Sequence, residues 1–319
     1  MSREDNLSSA SRPSLAYITP TFGRDIERFS LLRKSLNAFS PEIPHFVYVD
    51  TEDCNLFKER FKNERNVHFI ATADILPTHI EAQRRLWRSW RGKIIERVGW
   101  RLGINTRFFT GWKLQQLVKL EALSACPFDA GIFLDSDLIM CGKVRVDDFT
   151  TADNKLRLLE TKACNYEDFV FESNRQVLVG GSLLAPANAF NYIHQAPRFF
   201  KRTAASLKSH LSKVHKDWRL SFFQLDYPSE YALLGYAARE LENYGGYHIE
   251  ETPQQEWCYN VKERSELERH LDLCRQESGK RKFLLIQSNL GIPADEYASI
   301  IEFLLGSLSK QLLSAEKTI

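Results

Sequence analysis

Between Ser14 and Thr72 the chain repeats one pattern. Short β-rich apolar runs, "SLAYITPT", "HFVYVD" and "VHFIAT", alternate with "GRDIERFSLLRKSLNAF" and "EDCNLFKERFKN", which have helical spacing. In the first of these helices Ile26, Phe29, Leu32, Leu36 and Phe39 share a face. Antiparallel strands can be joined by a two-residue turn, whereas parallel strands need a crossover, and an intervening helix supplies it. The alternation therefore predicts βαβ units and an α/β fold, a mostly parallel sheet flanked by helices. Ligands of such sheets bind outside the carboxyl ends of the strands. Chemistry is to be sought in the residues that leave each strand.

The next strand of the series is "AGIFLDSDLIM", in which an apolar run ends on Asp135 and Asp137 and apolar residues then resume. Burying a carboxylate costs several kcal/mol or more unless it is paired or bound to a metal. Two acids leaving one strand can present oxygen ligands to one point, and hard divalent cations such as Mg²⁺ and Mn²⁺ prefer carboxylate and phosphate oxygens. The plain alternative is a solvated surface turn.

Other strand ends carry polar candidates. Thr19, Thr21, Arg24 and Asp25 occupy the first strand-to-helix connection, where backbone N–H groups suit a phosphate or a base edge. These residue types also serve as ordinary turn and capping groups. Asp50 ends the second strand and can accept from a ribose hydroxyl or act as a helix cap. In "GWKLQQLVKLEAL", Leu114, Leu117, Val118, Leu120 and Leu123 form an apolar stripe, which places Gln115, Gln116 and Lys119 at least partly off the core side. Trp112 is read as packing.

Beyond residue 150 the pattern is less regular. "KLRLLET" and "RQVLVGGSLLA" read as strands, the second broken by Gly180 and Gly181, which mark a bulge or a close backbone approach. The stretch from Asn188 to Trp218 reads as mostly helical with a break near Pro197, "PSEYALLGYAARELE" as a helix, and "YHIEET" and "KFLLIQS" as late strands. Residues 1–13 read as a disordered tail and 296–319 as a C-terminal amphipathic helix, with no internal repeat and no linker between independent domains.

The stretch "RRLWRSWRGKIIERVGWRLG" sets Arg84, Arg85, Arg88, Arg91, Lys93, Arg97 and Arg101 against Glu96 alone. A basic helix with tryptophan and an apolar stripe suits an anionic membrane surface, so a peripheral membrane contact through 84–102 is one expectation. The other is a helix packed on its own domain, which Gly92 and Gly99 favour by weakening a free-standing one. A formal net charge of +2 gives no argument for nucleic acid. Cys54, Cys126, Cys141, Cys164, Cys258 and Cys274 form no C-x-x-C pair, and the polar start "MSREDNLSSASRPS" is unlike a signal peptide. A cytoplasmic protein is expected, with the inner membrane as its place of peripheral contact.

With these residues in view, a resemblance can be stated. "FLDSD" on the fourth strand resembles the metal-binding D-x-D of GT-A glycosyltransferases, and "AYITPTFGRD" is similar to their nucleotide-cradling first strand and turn. "GWKLQQLVKL" and "PSEYALLGY" resemble GW-x-x-QQ-x-x-K and S-E-Y elements of a poorly characterised bacterial glycosyltransferase-like family. The resemblance implies a GT-A, Rossmann-like fold, with residues 14–150 as the nucleotide-sugar-binding half and 151–295 as the acceptor-binding half of the same domain. It implies Mn²⁺ or Mg²⁺ at Asp135 and Asp137, and a sugar moved from a nucleotide-sugar donor to a bacterial surface glycan or lipid-linked acceptor. Donor contacts are implied at Thr19, Thr21, Arg24, Asp25, Asp50, Gln115, Gln116 and Lys119. Gly180, Gly181 and Ser182 become the sugar-side wall. Glu230, with Asp226 beside it, becomes the general base; ordinary first-turn helix chemistry explains Glu230 equally. Such enzymes often take a third metal ligand from a C-terminal histidine, where this chain has Gln287 and Ser288. Two other readings stay open. One is a haloacid-dehalogenase-like phosphohydrolase, which Ile139 and the late position of the motif oppose. The other is a non-catalytic transferase-like binding or scaffold subunit.

Overall fold

The structure is a computed structural model that describes residues 11–89, 94, 98, 111–163, 166–179, 189–251, 258–277 and 280–316. In chain order its strands are β1 (Leu15–Thr21), β2 (His45–Val49), β3 (Val67–Ala71), β4 (Ala130–Phe133), β5 (Leu138–Met140), β6 (Leu156–Leu159), β7 (Thr161–Lys162), β8 (Phe190–Asn191), β9 (Arg198–Phe200), β10 (Tyr247–Glu250), β11 (Cys258–Val261) and β12 (Phe283–Ile286). The helices are α1 (Ile26–Phe39), α2 (Cys54–Arg60), α3 (Thr78–Arg88), α4 (Gly111–Ala125), α5 (Val146–Phe149), α6 (Tyr166–Val179), α7 (Lys201–Val214), α8 (Trp218–Gln224), α9 (Glu230–Tyr236), α10 (Leu267–Gln276) and α11 (Ser299–Glu316). The chain forms two compact units that interleave along the sequence. The first comprises Met1–Ala16, His79–Ile132 and Val146–Pro253, the second Tyr17–Thr78, Phe133–Arg145 and Gln254–Ile319.

The second unit carries the expected alternation. β1 pairs parallel with β2, and β2 with β3, in the register Thr19↔Val47↔Phe69. Every residue of β2 is buried, as a strand covered on both faces requires. α1 seals one face through Phe29, whose ring lies 5.4, 5.1 and 6.0 Å from those of Phe57, Phe61 and Phe69. Such edge-on aromatic contacts add about 0.5–1.5 kcal/mol each beyond area burial. Leu134, the residue after β4, donates its N–H to Ile18 O and so continues alongside β1. The same unit holds β5 antiparallel to β12, with β11 parallel on the far side of β12.

In the first unit β4 pairs antiparallel with β9, β6 parallel with β10, and β7 antiparallel with β8. Parallel pairing thus predominates in an α/β chain, as the sequence predicts. Two local expectations are corrected. Arg175–Val179 belongs to helix α6, not to a strand; buried Phe171, Asn174, Val177 and Leu178 recur at helical spacing. A short apolar run such as "VLV" has no period of its own by which to choose. Phe190–Asn191 and Arg198–Phe200 are strands ahead of α7, where a helix is expected. Among the described residues no helix is long and apolar enough to cross a membrane.

Buried polar groups pin the second unit's core. His45 is fully buried, with Arg33 Nη1 3.2 Å from its Nδ1 and Thr19 Oγ1 2.8 Å from its Nε2. Arginine can only donate. His45 Nδ1 therefore accepts, and the neutral ring donates its Nε2–H to Thr19. Burial first, and then the Arg33 charge, hold the His45 pKa well below 6.5. A histidine that stays neutral when folded but protonates when unfolded subtracts stability as pH falls below 6.5, by up to about 1.4 kcal/mol per unit. Urea unfolding of the protein at pH 7.5 and 5.5 is expected to show this loss. His45→Gln, which can keep both hydrogen bonds without titrating, is expected to lack that part of it; an unchanged slope would refute the assignment.

Candidate functional site

The paired aspartates leave β4 in a tight connection to β5, in which Leu138 N–H donates to Asp135 O. Ser136 between them is buried, so the two acids bracket a residue that points inward. β12 then fixes the second acid. It runs antiparallel to β5 with Leu285 opposite Leu138, and the chain beyond it delivers Ser288 N–H to Asp137 Oδ2 at 2.9 Å. Gln287 and Ser288, which stand where the resemblance leads one to look for a histidine, thus supply a backbone donor that orients Asp137. His248 is exposed on β10 of the first unit.

The other oxygen, Asp137 Oδ1, is buried and has no hydrogen-bond partner. Desolvation raises the Asp137 pKa to about 6, helped by the charges of Asp135 and Asp25 and opposed by the Ser288 N–H. A carboxylate held in place, shielded from water and repelled by its neighbours attracts a cation. Its chemistry fits a hard divalent ion, with the pair providing part of an oxygen shell. Among the described residues no group of three or more His, Cys, Asp and Glu is arranged to hold one. Further ligands would then be water or oxygens of a bound anion.

Asp25 ends a short 3-10 turn (Gly23–Asp25) after β1 and is itself buried. Arg28, one helical turn on, reaches its Oδ1 at 3.0 Å through Nη1 and donates to Ile292 O at 3.1 Å through Nη2. Tyr297, 1% exposed, lies within the electrostatic reach of Arg28, Asp137 and Asp25. Arg28 and Tyr297 are residues of this cluster that sequence reasoning missed, and Ser288 it names only as standing where a histidine is looked for, not as a backbone donor. The Asp25–Arg28 spacing was visible, but it is the spacing of any helix-surface pair. The remaining donor-side candidates of this unit are dispersed in role. Thr19 faces His45 in the core, Thr21 Oγ1 is buried without a partner, and exposed Arg24 lies 4.3 Å over the Phe22 ring. Asp50, half-buried, accepts from Glu52 N–H as a turn aspartate does.

The first unit holds a second, charge-balanced cluster. α4 is buried on more than the face its apolar stripe predicts: Gln116 and Lys119 are both buried, contrary to expectation, and Gln115 is half-buried. The reason lies in α9. Lys119 Nζ sits 3.0 Å from Glu230 Oε1, donates to Tyr231 Oη at 2.8 Å and lies 4.6 Å over the Tyr231 ring. In the amide orientation its neighbours require, Gln116 donates to Glu230 Oε1 at 2.8 Å and accepts from Trp112 Nε1 at 3.1 Å. Trp112 is 48% exposed, so it is not the packing residue the sequence suggests.

Ser229 caps α9 by accepting from Ala232 N–H at 3.2 Å, and buried Asn174 of α6 clamps the approach by receiving Ser229 N–H and donating to Tyr227 O. Glu230 is 1% exposed, whereas Asp226 is open to solvent. Lys113 anchors the connection before them by donating to Phe223 O and Leu225 O. Gly180, Gly181 and Ser182 lie outside the described residues, as does most of 84–102. Within that stretch Arg84 is buried and paired with Glu81 at 2.7 Å.

The sequence matches, over residues 14–307, the model of a family described as "Family of unknown function (DUF6492)". No curated protein matches it. Among solved structures, the chain is similar to the apo form of mouse xyloside xylosyltransferase 1, with a TM-score of 0.41 and 12% identity, covering 88% of this chain and 99% of that one. It is also similar to the galactosyltransferase LgtC in complex with donor and acceptor sugar analogs, at a TM-score of 0.42 and 11% identity over 90% of this chain and 95% of that one. An active-site mutant of LgtC gives a TM-score of 0.43 and 12% identity, covering 89% and 94%.

Both clusters make stability predictions. A carboxyl raised to about 6 in the folded protein takes up its proton at higher pH than the unfolded chain does. Its charge therefore costs stability above pH 6, up to about 3 kcal/mol, and that cost disappears as pH falls towards 4. Asp137→Asn is expected to stabilise the metal-free protein at pH 7.5 and to be neutral at pH 4 in urea titrations; no gain at pH 7.5 would count against the repulsion. For the Lys119–Glu230 pair, Lys119→Met or Glu230→Gln alone is expected to cost about 3–5 kcal/mol by stranding a buried charge. The double variant should cost clearly less than the sum, and additive losses would show that the two do not act as a pair.

Proposed function

The chain belongs to this family of unknown function, DUF6492, and we propose that it is a metal-dependent glycosyltransferase that moves a sugar from a nucleotide-sugar donor to a glycan or lipid-linked acceptor. The observation that carries the reading is Asp137: a buried carboxylate oxygen without a partner, beside Asp135, at the end of a strand in an α/β sheet. The sequence resemblance to GT-A enzymes supplies the reaction class.

Asp135 and Asp137 would hold Mn²⁺ or Mg²⁺, which when bound offsets charge on the departing nucleoside diphosphate as a Lewis acid. Asp137 is kept in one orientation by Ser288 N–H, so no reorganisation is needed when charge develops. Asp25 and Arg28 fix the turn that follows β1, the segment the resemblance assigns to the nucleotide. The proton-accepting role belongs to Asp226 rather than Glu230 in this proposal. Asp226 has an open carboxylate at the entry to α9, whereas Glu230 is committed to Lys119 and Gln116. Lys119 is likewise committed, which makes it part of the scaffold of α4 and α9 and not a phosphate ligand. A lipid-linked acceptor would be approached through the basic 84–102 stretch, where Leu86, Ile94 and Val98 are 47%, 48% and 49% exposed.

The test is thermal unfolding of the purified protein against a panel of nucleotide sugars, with and without Mn²⁺. A ligand of the native state at a hundredfold excess over its Kd adds about 2.7 kcal/mol of stability. The expected result is a rise in Tm for one nucleotide class that requires Mn²⁺ and is absent in Asp137→Ala. A folded protein that responds to no donor in the presence of metal would overturn the proposal.

A further inference from the structure

In the first unit, the entry to α9 and the start of α4 set exposed aromatic rings beside an exposed acid. Trp112 is 48% and Tyr227 46% exposed, and Asp226, next to Tyr227, is open to solvent. Two sets of contacts bring the segments together. Lys113, the neighbour of Trp112, donates from Nζ to Phe223 O at 3.0 Å and to the carbonyl of Leu225, the residue before Asp226. Trp112 Nε1 in turn donates to Gln116 at 3.1 Å, and Gln116 donates at 2.8 Å to Oε1 of Glu230, in the first turn of α9. Asp226 and Tyr227 lie in the chain between these two ties. Neither ring is carried on a loose segment. Trp112 spends its single N–H inside the protein, so what it offers outward is hydrocarbon ring. The backbone of Tyr227 is fixed by Asn174 Nδ2, which donates to its carbonyl at 2.9 Å.

We propose that Trp112, Tyr227 and Asp226 form a binding surface for a neutral pyranose, with the aromatic rings against the sugar's C–H faces and its hydroxyls on the carboxylate. That this sugar is the acceptor rests on the glycosyltransferase reading; the binding itself does not depend on a metal at Asp135 and Asp137. A pyranose carries apolar C–H patches on its ring faces and hydroxyls around its rim. An aromatic ring covers the first, and an ionised carboxylate, which only accepts, takes the second. Rigid rings supply this contact area at little cost in conformational entropy. Charge argues against other occupants. Asp226 repels a phosphate or a carboxylate, and Lys113 does not offset it at the surface, because its ammonium is buried on backbone carbonyls. A stable protein partner would bury about 800 Å² on each side around a core depleted of charge, whereas here an acid stands next to the rings. A sugar hydroxyl donating to Asp226 also has the hydrogen bond that a proton acceptor in glycosyl transfer needs.

The experiment is saturation-transfer NMR on the full chain without metal or donor. The probes are the methyl glycosides of glucose, galactose and mannose, each beside the corresponding uronate. Transfer to the ring C–H protons of at least one neutral glycoside is expected, with its uronate bound about fivefold more weakly or worse because of the Asp226 charge. Trp112→Ala is expected to weaken the neutral glycoside about tenfold, whereas Trp112→Phe, which keeps a ring, retains most of the binding. Asp226→Asn should abolish the preference for the neutral sugar over its uronate, which a merely structural role for Asp226 would leave in place. If Trp112→Ala does not fold, Tyr227→Ala and Asp226→Asn, both at exposed positions, carry the test. No transfer to any neutral glycoside at millimolar concentration, alanine variants that bind as the unaltered protein does, or a preference for uronates would each overturn the inference. A Mn²⁺-dependent response to a nucleotide sugar without saccharide binding would sink this surface and leave the transferase reading standing. Saccharide binding without any donor response would keep the surface and withdraw the acceptor role from it.

Discussion

Like charges held close together out of water are the constraint on which this molecule turns. Asp137 is caught between burial, the charge of Asp135 and the charge of Asp25, and only one of its oxygens is satisfied within the protein. A chain gains nothing in stability from such an arrangement. It persists because the surrounding elements over-determine it: β4 delivers both acids through a single tight connection, β5 pairs antiparallel with β12, and the chain after β12 returns a backbone N–H to Asp137. Strain of this kind, paid for elsewhere in the fold, is characteristic of places where a protein binds or reacts.

The first unit shows how the same chain accommodates other carboxylates drawn out of water. Glu121 receives Lys208 and, at 2.6 Å, Arg219. Glu160 accepts from Tyr192 at 2.5 Å and from Tyr244, and faces Arg239 at 3.3 Å. Glu250 is shared by Arg157 and Arg198 at 2.7 and 3.3 Å. Glu230 has Lys119. Each of these acids meets a cation, which is how a buried charge is normally tolerated. Asp137 has a backbone N–H and a second acid instead, so the contrast comes from within one sequence and needs no outside reference.

The alternation of strands and helices from Ser14 to Thr72 was legible because both periods are strong there and the crossovers leave few topologies. The placement of Asp135 and Asp137 at a strand end was legible for the same reason. What failed was local and of two kinds. "VLV" in α6 and the stretch around Phe190 and Phe199 are short apolar runs, and their period is set by packing partners far away in the chain. A helical stripe tells which side of α4 is apolar but not what covers the polar side, so it leaves Lys119 facing outward; its partners Glu230 and Tyr231 come from another helix, α9. The contacts of Arg28 and Tyr297 and the backbone donation of Ser288 carry no signal in one sequence, since they arise from where β12 and the chain after it end.

These failures share a physical cause that also bears on function. Periodicity reports the apolar fraction of a surface, and burial of polar groups is decided by charge pairing, which has no period. A site is built from the second kind of information. In this chain the paired acids could be read from the strand end they leave, and the contacts that set the local electrostatics, Arg28 to Asp25 and the Ser288 N–H to Asp137, form only once the chain is folded. The motif places two carboxylates at the end of a strand. The neighbours it does not reveal, the Ser288 N–H on one oxygen of Asp137 and the charge of Asp25, set the electrostatics of those carboxylates.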